Sequence, residues 1–226
     1  MENQINFTPC KIIKMGVLAL HHGIICLVAI FSFSDRLAWS QEPITDQVTV
    51  TVSKGRLLGI HSGEGIARIS LAAGENIVAM KAKGITGFVQ TSERLLGYSG
   101  KLQRWSKRRL EVSEVVQNVY VTPRLVLVVG EQHIYGFQSE VGQWRIKPLR
   151  SGETLTQAIV KDHVAVVISN HQAFGFSAFT GGFFIKDLPL TYEEINSDAN
   201  DNIIILKLSD RQLVFRSRLA VWTELR

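Results

Sequence analysis

Residues 116–146 read VQNVYVTPRLVLVVGEQHIYGFQSEVGQWRI, and four short strands can be marked on that line. Val116–Thr122 has strand composition and is closed by Pro123. Leu125–Val129 is a continuous β-branched and aliphatic run, and Gly130-Glu131-Gln132 supplies a turn. His133–Gln138 is rich in aromatics, Ser139–Gly142 makes a second turn, and Gln143–Ile146 gives a last strand. Apolar runs of this length bounded by turn residues are strand signals. No window within them is long enough for an amphipathic helix.

The pattern recurs on both sides at a spacing of 39 residues. Trp105, Trp144, Phe183 and Trp222 keep that step, as do Leu71, Leu110, Leu149 and Leu188. So do Val50, Val89, Val128, Val167 and Leu206, and Gly97, Gly136 and Gly175. A fixed period of this size means one supersecondary unit copied in tandem. Four antiparallel strands in about 40 residues is the size of a propeller blade. The expected fold is all-β, a β-propeller of about five blades. The bulky residue of the Trp105 register is expected to fill the space between blades, where aromatics bury most area. The glycine of the Gly97 register lets a neighbouring ring approach closely. Two blades can fall short. Glu193–Asp201 (EEINSDAND) is too polar to read as a strand, and the opening strand of the first unit would fall on Leu37–Pro43. A closed ring is the expectation, because repeat folds hide their ends; the alternative is an open arc completed by oligomerisation.

The N-terminus reads as an export signal. Lys11 and Lys14 precede the apolar stretch Met15–Phe33, and Ala38-Trp39-Ser40 places small residues before a cleavage point at Gln41. That order is secretory. The rival reading is an uncleaved anchor over residues 15–34, although His21 and His22 are costly there. Either way the domain, residues 41–226, is expected outside the cytoplasm, periplasmic or secreted, with residues 1–40 as the signal and any membrane contact confined to them. Both cysteines, Cys10 and Cys26, lie in that segment, so no disulfide framework or cysteine metal site is expected in the domain. The segment after residue 40 holds 22 basic and 18 acidic residues, a net +4. That is a mild balance that does not call for nucleic acid.

Val128-Val129-Gly130, His133-Ile134-Tyr135-Gly136-Phe137 and Val141-Gly142-Gln143-Trp144 together resemble the repeat of pyrroloquinoline-quinone-type propellers. Ala178-Phe179-Thr180-Gly181 and Leu219-Ala220-Val221-Trp222 are weaker copies. The resemblance is one of blade type. Enzymes of that family are longer and commonly carry a vicinal cysteine pair, which the domain lacks, so a quinone is not expected. The non-catalytic members, which hold protein partners, are the better analogy.

Chemistry-bearing motifs are sparse. Gly59-Ile60-His61-Ser62-Gly63 and Gly97-Tyr98-Ser99-Gly100 approach a nucleophile elbow but miss its spacing, and read as strand-to-turn boundaries. His61, His133, His163 and His171 share no register and no metal spacing, so no metal site is expected. Two charge patterns stand out. Glu75, Glu114 and Glu153 repeat at 39, with Glu193 one residue late. They read either as a loop residue accepting backbone hydrogen bonds or as an acidic ring at one mouth of a channel, suited to a cation or basic peptide. Lys101, Arg104, Lys107, Arg108 and Arg109 flank Trp105. They read as charges protecting an outer edge strand or as a docking patch for an anionic polymer, lipid headgroup or acidic partner. The reading that follows is an exported, non-catalytic interaction module, without cofactor, whose partner is another protein or a cell-envelope component. A carbohydrate-active hydrolase using a carboxylate pair is the enzymatic alternative.

Overall fold

The computed structural model describes residues 46–63, 65–189 and 195–226. These form nineteen strands in five antiparallel sheets, each strand paired with its neighbour in sequence. The first sheet has three strands: β1 (Val48–Ser53), β2 (Arg56–His61) and β3 (Ile66–Ser70). The second has β4 (Ile77–Lys83), β5 (Thr86–Thr91), β6 (Arg94–Ser99) and β7 (Arg104–Arg109). The third has β8 (Val116–Val121), β9 (Leu125–Gly130), β10 (His133–Gln138) and β11 (Gln143–Pro148). The fourth has β12 (Leu155–Val160), β13 (Val164–Ser169), β14 (Gln172–Ser177) and β15 (Phe183–Asp187), and the fifth β16 (Asn196–Asn200), β17 (Ile203–Lys207), β18 (Gln212–Arg216) and β19 (Val221–Leu225). The expected β-propeller blades are present.

The two central strands of the second, third and fourth sheets are apolar on both faces because they are covered on both sides. In the third sheet every residue of β9, Leu125 to Gly130, is buried. Val126, Val128, Tyr135 and Phe137 pack back onto Phe88 and Leu95 of the second sheet, while Leu125, Leu127, Val129 and Ile134 pack forward onto Ala165, Val167, Phe174 and Phe176 of the fourth. Two further clusters join the first sheet to the second and the fourth to the fifth. Five sheets thus share four seams, and among the described residues no buried apolar cluster joins the first sheet to the last.

The element between the sheets differs from the expected one. Trp105, Trp144, Phe183 and Trp222 are only half-buried, on edge strands. The fully buried wedge stands seven residues earlier, at Tyr98, Phe137, Phe176 and Phe215. Each ring lies against a glycine of the preceding sheet: Tyr98 on Gly59, Phe137 on Gly97, Phe176 on Gly136 and Phe215 on Gly175. A Cβ at those glycines would stand 2.4–2.6 Å from the nearest ring carbon, closer than real contacts allow. The Trp-register ring then covers the wedge from the edge, with centroids 4.9–5.3 Å apart. Each indole N–H reaches back one sheet, Trp105 to the Ala67 carbonyl at 3.1 Å, Trp144 to that of Ser106 at 3.2 Å and Trp222 to that of Phe184 at 2.9 Å. Interior position went to the smaller ring because an indole needs a partner for its N–H when buried. The joint is missing at the array's ends. Val214 occupies the glycine position of the last sheet, and β2 has no phenylalanine, tyrosine or tryptophan to offer.

Two more expectations are corrected. Val50 does not share the setting of Val89. It packs forward onto the second sheet, whereas Val89, Val128, Val167 and Leu206 pack backward. The difference lies in the β2–β3 pairing: Ile60 pairs with Ile66, whereas Ser99, one period on, pairs with Arg104, so the first sheet is one residue out of step there, and a one-residue change of register exchanges a strand's faces. The polar fifth-unit segment does form a strand: β16 pairs with β17 from Asn196↔Lys207 to Asn200↔Ile203. It is an edge strand covered by no other sheet, so its backbone ladder suffices and its side chains can stay polar. The proposed first-unit strand at Leu37–Pro43 lies outside the described residues.

Candidate functional site

The turns that follow the opening strands β4, β8 and β12 bring successive sheets into backbone contact. Val48 N–H donates to the Gly84 carbonyl at 3.2 Å, Ile85 N–H to that of Pro123 at 3.1 Å, and His163 N–H to that of Asp201 at 3.0 Å. Thr122 Oγ1 supplies the intervening link to the Asp162 carbonyl at 3.2 Å. Gly84, Pro123, Asp162 and Asp201 are themselves 39 apart. This row of turns fixes the opening strands beside one another.

The opposite ends of those strands carry the repeated glutamates, and their carboxylates are engaged locally. Glu75 accepts from Ala72 N–H (2.7 Å), Thr91 Oγ1 (2.5 Å) and Arg94 Nε and Nη2 (2.7 and 2.5 Å). The Arg94 guanidinium holds its carboxyl down to about 2, against the opposing effect of burial. Glu114 accepts from Gln132 N–H (3.0 Å) and the Tyr135 hydroxyl (3.1 Å) and faces His133 Nδ1 at 2.5 Å. Glu153 accepts from Arg150 N–H (2.9 Å) and Ser169 Oγ (2.6 Å). All three tie the loop before the opening strand to the turn between the two central strands of the same sheet. The geometry therefore matches the reading of a loop residue that satisfies backbone and side-chain donors. Glu193 lies outside the described residues.

The basic cluster is split by its strand. β7 is an edge strand, so alternate side chains leave on opposite sides. Lys101 pairs with Glu140, which also takes Arg124. Arg104 donates to the Val141 carbonyl at 3.1 Å, and Arg108 pairs with Glu111 at 3.0 Å. Lys107 and Arg109 have no hydrogen-bond or ion-pair partner among the described residues. They border an open groove of about 660 Å³ with Ala72, Glu93, Arg94, Arg108, Leu110 and Glu111.

A second open groove, of about 750 Å³, was missed by the sequence reading. It crosses β4, β8 and β12 beside the row of turns and is lined by Lys81, Lys83, Tyr120, Thr122, Lys161, Asp162 and Asp201 with Val119, Val121 and Val160. Lys81 donates to the Val119 carbonyl at 3.4 Å; Lys83 and Lys161 have no side-chain partner among the described residues. The available signal was the sheet position: Lys83, Thr122, Lys161 and Asn200 share one register, but their types vary from unit to unit.

The elbow-like serine is a seam residue. Ser99 Oγ donates to the Ser139 carbonyl of the next sheet at 2.5 Å, and Gln138 and Ser177 make the same reach to Ala178 and Ser217. His163 is buried, stacks on Phe179 at 5.1 Å, and has both ring nitrogens without a hydrogen bond. Burial, with Arg124 nearby, pushes its pKa down. Among the described residues no group of three His, Cys, Asp or Glu side chains is placed to hold a metal.

Solved structures similar to the chain include BamB from Moraxella catarrhalis (16% identity, covering 82% of this chain and 62% of that one, TM-score 0.32). They also include yeast RCC1 (Prp20) bound to Kap60 (9% identity, 76% and 54%, TM-score 0.39) and the N-terminal domain of Nup159 (9% identity, 79% and 58%, TM-score 0.34). All are β-propellers. The five sheets of sequence-adjacent antiparallel strands described above are blades of that kind. The chain spans less than two thirds of the length of each of these structures. No family model and no curated protein matches it.

Proposed function

We propose that this chain is an exported, non-catalytic interaction scaffold that holds a protein partner of the cell envelope on its exposed strands. The observation that carries the reading is where the polar side chains go. The repeated glutamates and the Ser99, Gln138 and Ser177 register, whose polar side chains stand out in the sequence, are bonded into loops and seams. Lys83, Lys161, Lys107 and Arg109, which have no side-chain partner among the described residues, border open grooves. Rigid sheets that present charge on surface grooves suit recognition more than turnover. Export rests on the order of basic, apolar and small residues before Gln41. Affinity capture from an envelope extract, with a glycan array beside it, tests the function. A specific protein partner supports it, whereas glycan binding with hydrolysis replaces it by the carbohydrate-active alternative. N-terminal sequencing of the protein recovered outside the cytoplasm tests cleavage after Ser40.

A second reading, in which the array is completed by oligomerisation, is favoured by the four seams that join five sheets and by the missing joint between Val214 and β2. Solution mass by light scattering decides it.

A further inference from the structure

The opening strands carry features that the fold does not need. Each of β4, β8 and β12 has a bulge near its start, at Val78, Gln117 and Thr156, the unpaired residues between Ile77 and Ala79, Val116 and Asn118, and Leu155 and Gln157. These positions are 39 apart. A bulge re-aims side chains and is kept where a strand borders a site. On β4, Met80 pairs with Val89, which packs on the first sheet, while Lys81 pairs with Phe88, which packs on the third. Lys81 and Lys83 therefore leave the face that fronts Val119 and Val121 of β8, where they line the groove. The charge then changes sign across the groove. The second sheet contributes lysines alone, the fourth contributes Lys161 beside Asp162, and the fifth contributes Asp201. The carboxylates of Asp162 and Asp201 have no partner among the described residues.

We propose that this groove binds an extended peptide segment of the partner, with acidic residues lying over Lys81 and Lys83, apolar residues over Val119, Val121 and Val160, and a basic residue towards Asp162 and Asp201. The inference rests on the scaffold reading and assigns it a surface. Two lysines beside Val119 and Val121 fit a segment that carries both carboxylate and apolar side chains. The sign change gives the segment one direction. Sheets stacked roughly 10 Å apart make the path across β4, β8, β12 and the Asp201 turn roughly 30 Å, about nine extended residues. That length suits a peptide and exceeds a small ligand.

The test uses the full chain and three fluorescein-labelled ten-residue peptides in fluorescence anisotropy: one with valine and glutamate in its first half and lysine at its end, one of reversed charge, and one with glutamine in place of every charge. The first is expected to bind at least tenfold more tightly than the other two. The Lys81→Glu/Lys83→Glu variant should lose at least tenfold for it, while Lys207→Glu, which lies outside the groove, should leave it unchanged. Equal binding of all three peptides, or an unchanged affinity in the double variant, overturns the proposal. Circular dichroism establishes that the double variant is folded, and Lys161→Glu provides an independent reading from another sheet. Capture of the envelope partner is scored separately. If the double variant still captures it, the scaffold stands and the groove falls; if the wild type captures nothing, the scaffold reading itself fails.

Discussion

Phe176 lies flat against Gly136: a Cβ built on that glycine would stand 2.4 Å from the ring. The joint is one of four alike, and it explains why a glycine is found on the central strand β10 although glycine weakens strands. Close approach of sheet to ring requires that nothing project from the backbone there. Gly136→Ala is expected to cost about 1–3 kcal/mol through overpacking, measured by urea denaturation. Phe176→Leu should relieve part of that cost in the double variant, because the two sites touch and their effects do not add. Full additivity would mean that the ring does not press on Gly136.

The edge rings make a second prediction. Trp105, Trp144 and Trp222 each hold a carbonyl of the preceding sheet, and Phe183 stands in the same register without a donor. Trp144→Phe should lose a hydrogen bond worth about 1 kcal/mol. Phe183→Trp should gain stability of that order. A destabilised Phe183→Trp would show that the fourth sheet has no room for the indole.

The turn before each last strand contains a residue with positive φ: Gln103 (50°), Gly142 (64°), Gly181 (61°) and Ala220 (52°). A side chain in this left-handed region costs roughly 1–2 kcal/mol, and part of that is returned by the greater freedom of glycine in the unfolded chain. Ala220→Gly is therefore expected to raise the thermal midpoint, and Gly181→Ala to lower it. Opposite signs in differential scanning fluorimetry support the register; equal signs contradict it.

Two titrations define the acid limit. Glu75 is held at about 2, below its ordinary 4.5, by Arg94. A lowered carboxylate pKa gives stability that is fully present above 4.5 and is lost as pH falls towards 2. Glu75→Gln should flatten that part of the stability profile and cost about 3 kcal/mol at neutral pH, as breaking a buried pair does. His163 is also lowered, by burial. Its sign is worked from the unfolded state, which takes up a proton below 6.5 that the fold resists, so stability falls as pH drops through 6.5. His163→Leu should remove the slope near pH 6 and leave the one near pH 4. A profile unchanged by either variant contradicts these assignments.

Periodicity made most of the architecture legible. Strand runs in residues 77–187 were located to within a few residues because apolar stretches there are punctuated by turn residues at a constant interval. The wedge was assigned to the wrong ring because Trp144 is the most conspicuous member of the period, and single residues do not disclose that an indole needs a carbonyl at the edge. Phe137 recurs as Tyr98, Phe176 and Phe215 just as Trp144 recurs as Trp105, Phe183 and Trp222, so the period alone does not rank the two rings. Val50 keeps the period yet faces the other way, because the β2–β3 pairing of the first sheet is one residue out of step with that of the second and the period does not report register. The polar strand β16 was doubted because patterning reports burial, and an uncovered edge strand has little. The glutamates of the 39 register could be found but their partners could not, since Thr91, Arg94 and His133 vary between units. The lysine groove was hidden for a related reason: it is assembled from four units, each contributing different side chains.

Hydrogen–deuterium exchange on the full chain tests the central claim, that five sheets are held together by seams between their central strands. The slowest amides are expected in β5–β6, β9–β10 and β13–β14, where wedge and glycine meet, with β4 and β16 exchanging orders of magnitude faster. Protection of β4 and β16 equal to that of β9 and β10, or central strands that exchange within seconds, would contradict it.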